Sequence, residues 1–416
     1  MNLDFSGSRV LVIGDVILDK YYYGKVNRIS PEAPVPIVKV SREIHLPGGC
    51  GNVVNNIKGL GAGAFHICLT GKDPNAEILK QVLTGANIKN KFITVNMPTV
   101  TKIRVIGEHQ QVVRLDFEEK FELNKANKDK IFSAIDAAIE KSGAAVISDY
   151  GKGLCTPEIC RYIIHKSSKK GIAVIVDPKG FDWDKYRNAT VITPNVKELG
   201  EAVGREIPNE DNAIVKSGRE IMKKYSLKNL LVTRSDKGMT LITEESVQHI
   251  PTEAREVFDV SGAGDTVVAA LAVSLAHNLT MTESASLANR AAGIVVGKFG
   301  TAPVEIDELI HSFHNGSASK ILSLHMLVRI IRELDTKNKK IVLSLIRHDT
   351  IDLKTVDSLQ KEKEAGDILI ALIINTSSEG KTRELTGIIA GLECVDYAAA
   401  LNETELRDVM KQIKNH

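Results

Sequence analysis

Short apolar runs alternate with longer stretches of helical periodicity through most of the chain. Four of these runs are continuous and rich in valine and isoleucine: 9–13, 144–148, 173–176 and 230–233. Strands with so few polar positions are buried on both faces, which is typical of parallel sheets. Segments with the length and periodicity of helices lie between them, at 127–141, 156–170 and 211–225. This alternation predicts a doubly wound α/β domain.

Two segments of the same region have a different pattern. Residues 35–40 and 101–116 mix polar and apolar positions, and glycines and prolines separate them from their neighbours. Such segments are typical of strands with one solvated face. They predict a small antiparallel sheet that projects from the main body as a lid.

The pattern changes again near residue 316. Residues 314–320 (HNGSASK) are small and polar, which is typical of a linker. A second, shorter series of strands and helices follows it, at 340–345, 354–365, 368–374 and 403–414. We therefore expect two domains, at residues 1–315 and 316–416.

Composition and charge exclude several classes of protein. Hydrophobic residues make up 43% of the 416 positions, which excludes intrinsic disorder. The 54 basic and 52 acidic side chains leave a net charge of +2, so we expect no nucleic-acid partner. We expect no membrane partner either, because every long apolar run is interrupted by charges. The five cysteines form no CxxC pair, which predicts reduced thiols in a cytoplasmic protein.

The strongest local signal is residues 259–266 (DVSGAGDT), which lead directly into an apolar helical pattern. Gly262, Ala263 and Gly264 would present backbone N–H groups to an anion at the helix N-terminus. Asp265 would then stand beside a bound phosphate, where a carboxylate has a role as the general base for an attacking hydroxyl. Alternatively, the glycines form a tight turn and Asp265 only starts the helix. The octamer alone leaves both interpretations open.

A second glycine-rich cluster is residues 47–52 (PGGCGN). Gly48 and Gly49 allow close approach of the backbone to a ligand, and Asn52 can both donate and accept hydrogen bonds. The alternative is a turn with Asn52 as the N-cap of the next helix. The chain has neither a Walker A pattern nor a GxGxxG after its first strand, which argues against P-loop and Rossmann proteins.

A third cluster is residues 193–198 (TPNVKE), directly after a short apolar run. Asn195 and Glu198 are three positions apart, so they would share one face of a helix start. They could reach a hydrated Mg²⁺, which takes few protein ligands. The alternative is a capping box, with Asn195 as N-cap and Glu198 as its partner.

The order of these clusters along the chain resembles that of the ribokinase-like (PfkB-type) sugar kinases, over about residues 5–312. The elements that carry the resemblance are Gly14-Asp15, PGGCGN, DYGKG at 149–153, TPNVKE, VTR at 232–234 and DVSGAGDT. Four longer runs look like the bacterial heptose 7-phosphate kinase, the kinase half of a bifunctional heptose kinase/adenylyltransferase. They are GDVILDKYYY at 14–23, RISPEAPVPIVKV at 28–40, QQVVRLDFE at 110–118 and VVGKFGT at 295–301.

The resemblance implies a ribokinase-like fold and roles for individual residues. Asp265 matches the catalytic base, and Gly262, Ala263 and Gly264 match the anion hole for the transferring phosphoryl group. The positions that match the family's sites for ATP and its Mg²⁺ are Asn195, Glu198, Thr233, Arg234, Gly238 and Asn289.

The resemblance also implies where the sugar binds. Asp15, Gly48, Gly49 and Asn52 match positions that contact the sugar. Arg104 and Lys152 are implied as partners of the sugar's own phosphate. The segments at 35–40 and 101–116 match the family's lid, which implies a homodimer formed through the lid.

The second domain resembles the adenylyltransferase half of the same bifunctional enzyme, but with key positions changed. The four positions of that family's HxGH motif, whose histidines stabilise the nucleotide phosphates, are occupied by Asp352, Leu353, Lys354 and Thr355. The carboxylate of Asp352 would repel the triphosphate that the first histidine should contact. We expect His348, in the preceding turn, to be inert. The domain is thus expected to be a degenerate, truncated nucleotidyltransferase-like α/β fold.

These implications lead to one expected reaction. ATP, with Mg²⁺, would phosphorylate D-glycero-D-manno-heptose 7-phosphate at its anomeric hydroxyl to the 1,7-bisphosphate, a step in the synthesis of lipopolysaccharide precursors. Three alternatives stay open: a kinase of another sugar or sugar phosphate, an enzyme that retains adenylyltransferase activity, and a binding protein without activity.

Overall fold

The computed structural model describes residues 3–414, with several gaps. The gaps are residues 86, 109, 120, 254–258, 299, 314–319, 323, 337–338, 348–349 and 375–378. Most of the expected linker at 314–320, and His348, therefore lie outside the described residues. The chain divides into two compact units, Met1–Ile306 and Asp307–His416.

The first unit alternates strands and helices along its whole length. Its strands are β1 (Arg9–Gly14), β2 (Val16–Ile29), β3 (Pro36–Gly49), β4 (Gly63–Thr70), β5 (Ile88–Thr94), β6 (Thr101–Gly107), β7 (Gln110–Phe117), β8 (Ala144–Ser148), β9 (Ala173–Asp177), β10 (Val191–Ile192), β11 (Asn229–Thr233), β12 (Met239–Thr243) and β13 (Val247–Ile250). Its helices are α1 (Cys50–Gly59), α2 (Pro74–Val82), α3 (Lys125–Ile139), α4 (Pro157–Lys170), α5 (Val196–Val203), α6 (Asp211–Tyr225), α7 (Ala263–Ala276) and α8 (Met281–Val295). Helix α9 (Ile306–Ser312) begins at the last residue of this unit.

Nine of the strands form one sheet in the order β13-β12-β11-β10-β9-β8-β1-β4-β5. The strands from β11 to β5 are parallel, and only β12 and β13 pair antiparallel at one edge. All five residues of β8 are buried, as are five of the six in β1. The predicted doubly wound fold is confirmed, and its buried strands lie where the apolar runs placed them.

The strand order reverses direction at β1. The chain passes from β1 to β4 and β5 on one side, and later from β8 to β13 on the other. In such sheets ligands bind in the crevice at the carboxyl ends of the strands, where the order reverses. The residues that follow β1, β8, β9, β10 and β11 therefore border the expected site.

A separate four-stranded sheet has the order β3-β2-β6-β7. The predicted lid is present, but the prediction that it is wholly antiparallel is wrong, because β2 and β6 pair parallel, with Leu18 opposite Thr101. The single segment predicted at 101–116 is a hairpin of β6 and β7. Its turn includes Glu108, whose φ of 56° is in the left-handed region. All eight residues of β7 are exposed.

The second unit contains a three-stranded parallel sheet in the order β14-β15-β16. Its elements are β14 (Ile341–Ile346), β15 (Ile368–Ile374), β16 (Tyr397–Leu401), α10 (Leu324–Thr336), α11 (Leu353–Glu364), α12 (Glu379–Ala390) and α13 (Glu403–Lys414). The central strand β15 is almost wholly buried, which explains its continuous apolar sequence. Strand β16, with the sequence YAAAL, has too weak a pattern for prediction. No helix in the described parts of either unit is both long and apolar enough to cross a bilayer.

Candidate active site

Asp265 lies at the centre of the candidate site, on the third residue of α7. Its carboxylate is buried, with 4% of the residue exposed. Asn52 Nδ2 donates to Asp265 Oδ2 at 2.8 Å, and the Tyr150 hydroxyl donates to Asp265 Oδ1 at 2.8 Å. These two donors come from α1 and from the loop after β8, so two separate elements hold the carboxylate that α7 carries.

The environment of Asp265 suits a general base that works near neutral pH. Burial raises the pKa of Asp265 to about 6, and the charge of Asp19 contributes in the same direction. The hydrogen bonds from Asn52 and Tyr150 oppose this rise because they favour the ionised form. A carboxylate with this pKa is ionised at neutral pH and still basic enough to accept a hydroxyl proton during transfer.

Gly262 shapes the start of α7 beside this carboxylate. Its φ of 79° is in the left-handed region, and a Cβ added there would lie 2.5 Å from Asn52 Nδ2. A side chain would therefore be strained and would displace the amide that holds Asp265. The first backbone N–H groups of a helix lack partners within it and attract anions. Here the N–H of Ala263 donates instead to Val260 O, at 3.3 Å.

A cavity of about 170 Å³ opens at this helix start. Its lining comes from the carboxyl ends of the central strands and from the starts of α5 and α7: Asp149, Tyr150, Asp177, Pro178, Lys179, Thr193, Asn195, Glu198, Thr233, Gly262, Gly264 and Asp265. The cavity thus brings together six of the residues predicted from the sequence for the catalytic step and for ATP. Ala263 is not among the described residues that line it.

Asn195 and Glu198 line the cavity and also start α5. The Asn195 side chain accepts from Glu198 N at 2.9 Å, and Glu198 Oε2 accepts from Asn195 N at 3.1 Å. The capping-box alternative is therefore confirmed. The second oxygen of Glu198 lies 3.7 Å from Lys179 Nζ. The capping box holds the side chains of Asn195 and Glu198 at the cavity wall. The two residues therefore cap α5 and line the cavity at the same time.

The cavity fits a hydrated divalent cation. Burial raises the pKa of Asp177 well above its usual range, and the charges of Asp265 and Glu198 add to the rise. Burial also raises the pKa of Glu198. Carboxylates that repel one another around a small polar cavity are stabilised by a cation between them, and Mg²⁺ prefers such oxygen groups, directly or through water.

The residues predicted to contact the sugar, Asp15, Gly48, Gly49 and Asn52, are not among the described residues that line this cavity. A Cβ at Gly48 would lie 2.2 Å from Asp19 Oδ2, so only glycine lets that carboxylate cover the backbone. Gly49 has a φ of 57°, and a Cβ there would lie 2.4 Å from Asp15 O. Asn52 is the third residue of α1, whose N-cap is Gly49, so the alternative with Asn52 as N-cap is wrong.

The two cations predicted for the sugar's phosphate have carboxylate partners in this structure. Arg104 Nη1 lies 2.5 Å from Asp19 Oδ1, and Lys152 Nζ lies 2.7 Å from Glu118 Oε2. The side chains of Arg104 and Lys152 are each about one-fifth exposed. An anionic substrate would have to compete with these carboxylates for the two cations.

Asp15, also predicted to contact the sugar, is buried beneath the loop that follows β8. Its Oδ2 accepts from Tyr150 N at 3.0 Å and from Lys152 N at 2.9 Å, and its Oδ1 accepts from Leu154 N at 3.1 Å. Burial raises the pKa of this carboxyl. Both oxygens are therefore engaged by the backbone, and Asp15 is not one of the described residues that line the cavity.

On the nucleotide side, only Thr233 of the remaining predicted residues lines the cavity. The Arg234 guanidinium is buried and donates hydrogen bonds to the side chains of Asn209 and Asp211. Gly238 has a φ of 76° and forms the turn between β11 and β12. Asn289 Nδ2 on α8 donates to Pro251 O at 2.8 Å. The last three residues are not part of the cavity lining.

Three residues of the site were not predicted. Asp19 lies on β2, four positions after Asp15, in a continuous buried run where no periodicity marks it. Tyr150 stands within the DYGKG motif, but nothing in the sequence points its hydroxyl at Asp265. Asn56, one turn after Asn52 on α1, donates to Asn52 O at 2.9 Å and accepts from Thr266 Oγ1 at 2.9 Å.

In the second unit, the positions that resemble the HxGH motif start a helix. Asp352 is the N-cap of α11, and its Oδ1 accepts from Thr355 N at 2.9 Å and from Thr355 Oγ1 at 2.8 Å. Leu353 is 82% exposed. Asp352 and Thr355, which occupy the positions of the two histidines, are thus hydrogen-bonded to each other.

The comparison with known sequences finds one family and many relatives. The model of the pfkB family carbohydrate kinases matches residues 8–307. A bifunctional protein HldE from Vibrio parahaemolyticus is 38% identical over an alignment of 425 positions that covers 99% of this chain and 88% of that protein. A bifunctional protein HldE from Erwinia tasmaniensis is 40% identical over an alignment of 419 positions that covers 96% of this chain and 85% of that protein.

Solved structures agree on the fold. Phosphofructokinase-2 from Escherichia coli in complex with potassium aligns with a TM-score of 0.62 and 22% identity, over 74% of this chain and 98% of that one. Ribokinase from Arabidopsis thaliana, complexed with ribose and ATP, aligns with a TM-score of 0.58 and 18% identity, over 74% and 99% of the two chains. These likenesses confirm the ribokinase-like fold.

Proposed function

The chain belongs to the pfkB family of carbohydrate kinases, and from this premise we propose that it phosphorylates D-glycero-D-manno-heptose 7-phosphate at the anomeric hydroxyl. The donor is ATP, and the product is the 1,7-bisphosphate. The observation that carries the proposal is the position of Asp265, buried, hydrogen-bonded on both oxygens and facing a cavity at a helix N-terminus. A base beside an anion-binding helix start is what transfer of a phosphoryl group to a hydroxyl requires.

In the proposed mechanism Asp265 accepts the proton of the anomeric hydroxyl while the oxygen of that hydroxyl attacks the γ-phosphorus of ATP. The bond from the γ-phosphorus to the bridging oxygen breaks, and ADP leaves. The N–H groups of Gly262 and Gly264, at the start of α7, donate to the oxygens of the phosphoryl group. Mg²⁺ bound with ATP would neutralise part of the phosphate charge. Asn195 and Glu198 would hold its waters from the wall of the cavity. Positioning and electrostatics supply most of the rate enhancement, because little covalent chemistry falls to the protein.

The choice of sugar rests on similarity along the chain and on charge. The HldE relatives are similar over nearly all of it, including the second unit. Arg104 on the lid and Lys152 in the loop after β8 offer two cations for the phosphate of the sugar. We infer that this phosphate displaces the carboxylates of Asp19 and Glu118 from them when it binds.

Specificity can be tested with a panel of substrates. ADP release is measured with heptose 7-phosphate, fructose 6-phosphate, ribose 5-phosphate, and the unphosphorylated sugars. We expect kcat/KM for heptose 7-phosphate to exceed that of every other acceptor by at least about tenfold, which corresponds to about 1.4 kcal/mol of discrimination. A higher value for another sugar phosphate would favour the alternative of a kinase for that substrate.

We further propose a place for the reaction and an assembly. The bisphosphate would enter the synthesis of nucleotide-activated heptose for lipopolysaccharide, in the cytoplasm. The lid supports a homodimer, because β7 exposes large apolar side chains: Val112, Val113, Leu115 and Phe117, each 40–49% exposed. A second copy of the lid sheet would cover them.

We propose that the second unit has no adenylyltransferase activity. The residues at the two histidine positions, Asp352 and Thr355, bond each other and start α11, and a carboxylate stands where a triphosphate would approach. The core of the unit is intact, because β15 is almost wholly buried. Retention of the core without the site residues is expected of a fold that is kept for packing or assembly.

A further inference from the structure

The hydroxyl of Tyr150 is the second hydrogen-bond donor to the catalytic carboxylate. It lies 2.8 Å from Asp265 Oδ1, and the other oxygen accepts from Asn52 at 2.8 Å. Asn52 is itself fixed by Asn56, one turn along the same helix. Asp265 is therefore held from two sides by elements that are distant from each other in the sequence.

The loop that carries Tyr150 is fixed by two buried carboxylates. Asp15, at the end of β1, accepts three of its backbone N–H groups, from Tyr150, Lys152 and Leu154, at 2.9–3.1 Å. Asp149 accepts from Gly151 N at 2.7 Å and pairs with the ammonium of Lys185. A carboxylate that accepts several backbone hydrogen bonds orders the segment that donates them. Asp15 and Asp149 thus fix the backbone of the loop, and the backbone sets the direction of the Tyr150 side chain.

We propose that Tyr150 is a positioning residue for the base Asp265, and that Asp15 acts on catalysis by fixing the loop that carries Tyr150. The proposal rests on the kinase function proposed above. It gives Asp15 a role through the backbone, where the resemblance implied contact with the sugar. The Tyr150 hydroxyl would hold one oxygen of Asp265 and leave the other lone pairs directed at the substrate hydroxyl.

Several other charged or titratable groups face Asp265. Asp19 on β2 and Asp177 at the end of β9 act on it as like charges, and the Cys50 thiol on α1 is close to it. Burial raises the pKa of the Tyr150 hydroxyl well above its usual range, so it is protonated and can donate at neutral pH. Tyr150 and Asn52 are the two groups that donate hydrogen bonds to Asp265 among the described residues.

The first test is Tyr150→Phe, which removes the donor and retains the ring. A hydrogen bond to an ionised group lowers its pKa, so its loss should raise the pKa of Asp265. The acid limb of kcat/KM should therefore move to higher pH by about one unit, with up to about tenfold lower activity near pH 6 and a smaller change near pH 8. The matched control is Tyr162→Phe, because Tyr162 also donates to a carboxylate, that of Asp136 on the surface.

All variants are measured with the same sugar phosphate, because the phosphate group of the substrate also titrates near pH 6 and contributes to every pH profile. An unmoved acid limb in Tyr150→Phe would overturn the proposal, whether activity is uniformly lower, unchanged or higher. If the wild-type chain shows no ADP release that depends on a sugar phosphate, the proposed function fails instead. The two failures are therefore distinguishable.

The second test is Asp15→Asn, which replaces one acceptor oxygen by an NH₂ group. Action through the loop predicts an upward shift of the acid limb with the KM for the sugar phosphate unchanged, and no further shift when Tyr150→Phe is added. Direct contact with the sugar predicts a raised KM and an unmoved limb, which would overturn the role given to Asp15. If Asp15→Asn does not fold, Tyr150→Phe still decides the role of the tyrosine.

Discussion

The most informative single change is Asp265→Asn, because its effects on chemistry, binding and stability can be separated. Loss of a positioned base lowers turnover by about 10²–10⁴-fold, which corresponds to about 3–5 kcal/mol in the activation barrier. The amide also cannot accept from both neighbours, because it offers one oxygen and one NH₂ group. Its NH₂ group would face either Asn52 Nδ2, which is another donor, or the Tyr150 hydroxyl, which can accept from it but then no longer donates to it.

Two opposed donors would cost about 1–3 kcal/mol of stability and a reversed hydrogen bond to Tyr150 would cost less, and the variant no longer buries a charge, which offsets part of either cost. We therefore expect a folded protein. Affinity for ATP should be unchanged or slightly higher, because a carboxylate near the phosphates has been neutralised. Turnover is measured by coupled ADP release, nucleotide affinity by calorimetry, and folding by thermal denaturation.

Asp136→Asn is the matched control, because Asp136 also accepts hydrogen bonds from a tyrosine hydroxyl but lies on the surface. It should retain wild-type turnover. A folded Asp265→Asn protein with turnover within a few-fold of the wild type would refute the assignment of Asp265 as the base. A turnover loss accompanied by an equal loss of ATP affinity would point to a binding role instead.

Two further predictions concern the metal and the second unit. Glu198→Gln should raise the Mg²⁺ concentration for half-maximal rate severalfold, because the cavity loses an anionic group, while the glutamine can still cap α5; an unchanged requirement would leave Glu198 only its capping role. The unmodified chain should release no pyrophosphate from ATP and heptose 1-phosphate in a colorimetric pyrophosphate assay, because Asp352 and Thr355 replace the phosphate-binding histidines. Release at a rate that depends on heptose 1-phosphate would show that the second unit is an active adenylyltransferase.

The elements that the sequence predicts best are those whose environment is uniform. Strands β1, β8, β9 and β11 are buried on both faces, so their apolar runs mark them within a residue or two. Strand β2 was not predicted, because its first residues are buried and its last residues are exposed, which gives no single period. The parallel pairing of β2 with β6 is set by the fold of distant segments, and no local pattern encodes it.

The candidate site shows the same division. Residues 259–266 mark the helix start and the base, because the glycines and the aspartate are local requirements of that turn. The partners of the base are not local: Asn52 is 213 positions away from Asp265, and Tyr150 is 115 positions away. Asp15 shows a further limit, since the sequence gives a carboxylate but not that three backbone N–H groups occupy it.

The central claim is the transfer of phosphate to the anomeric oxygen of a heptose 7-phosphate. The most direct measurement is phosphorus NMR of the purified chain with ATP, Mg²⁺ and D-glycero-D-manno-heptose 7-phosphate. We expect a second sugar phosphate resonance, coupled to the anomeric proton, to grow in step with ADP while the 7-phosphate resonance persists. A product phosphorylated at another hydroxyl would contradict the claim. So would hydrolysis of ATP to ADP and inorganic phosphate without transfer to the sugar.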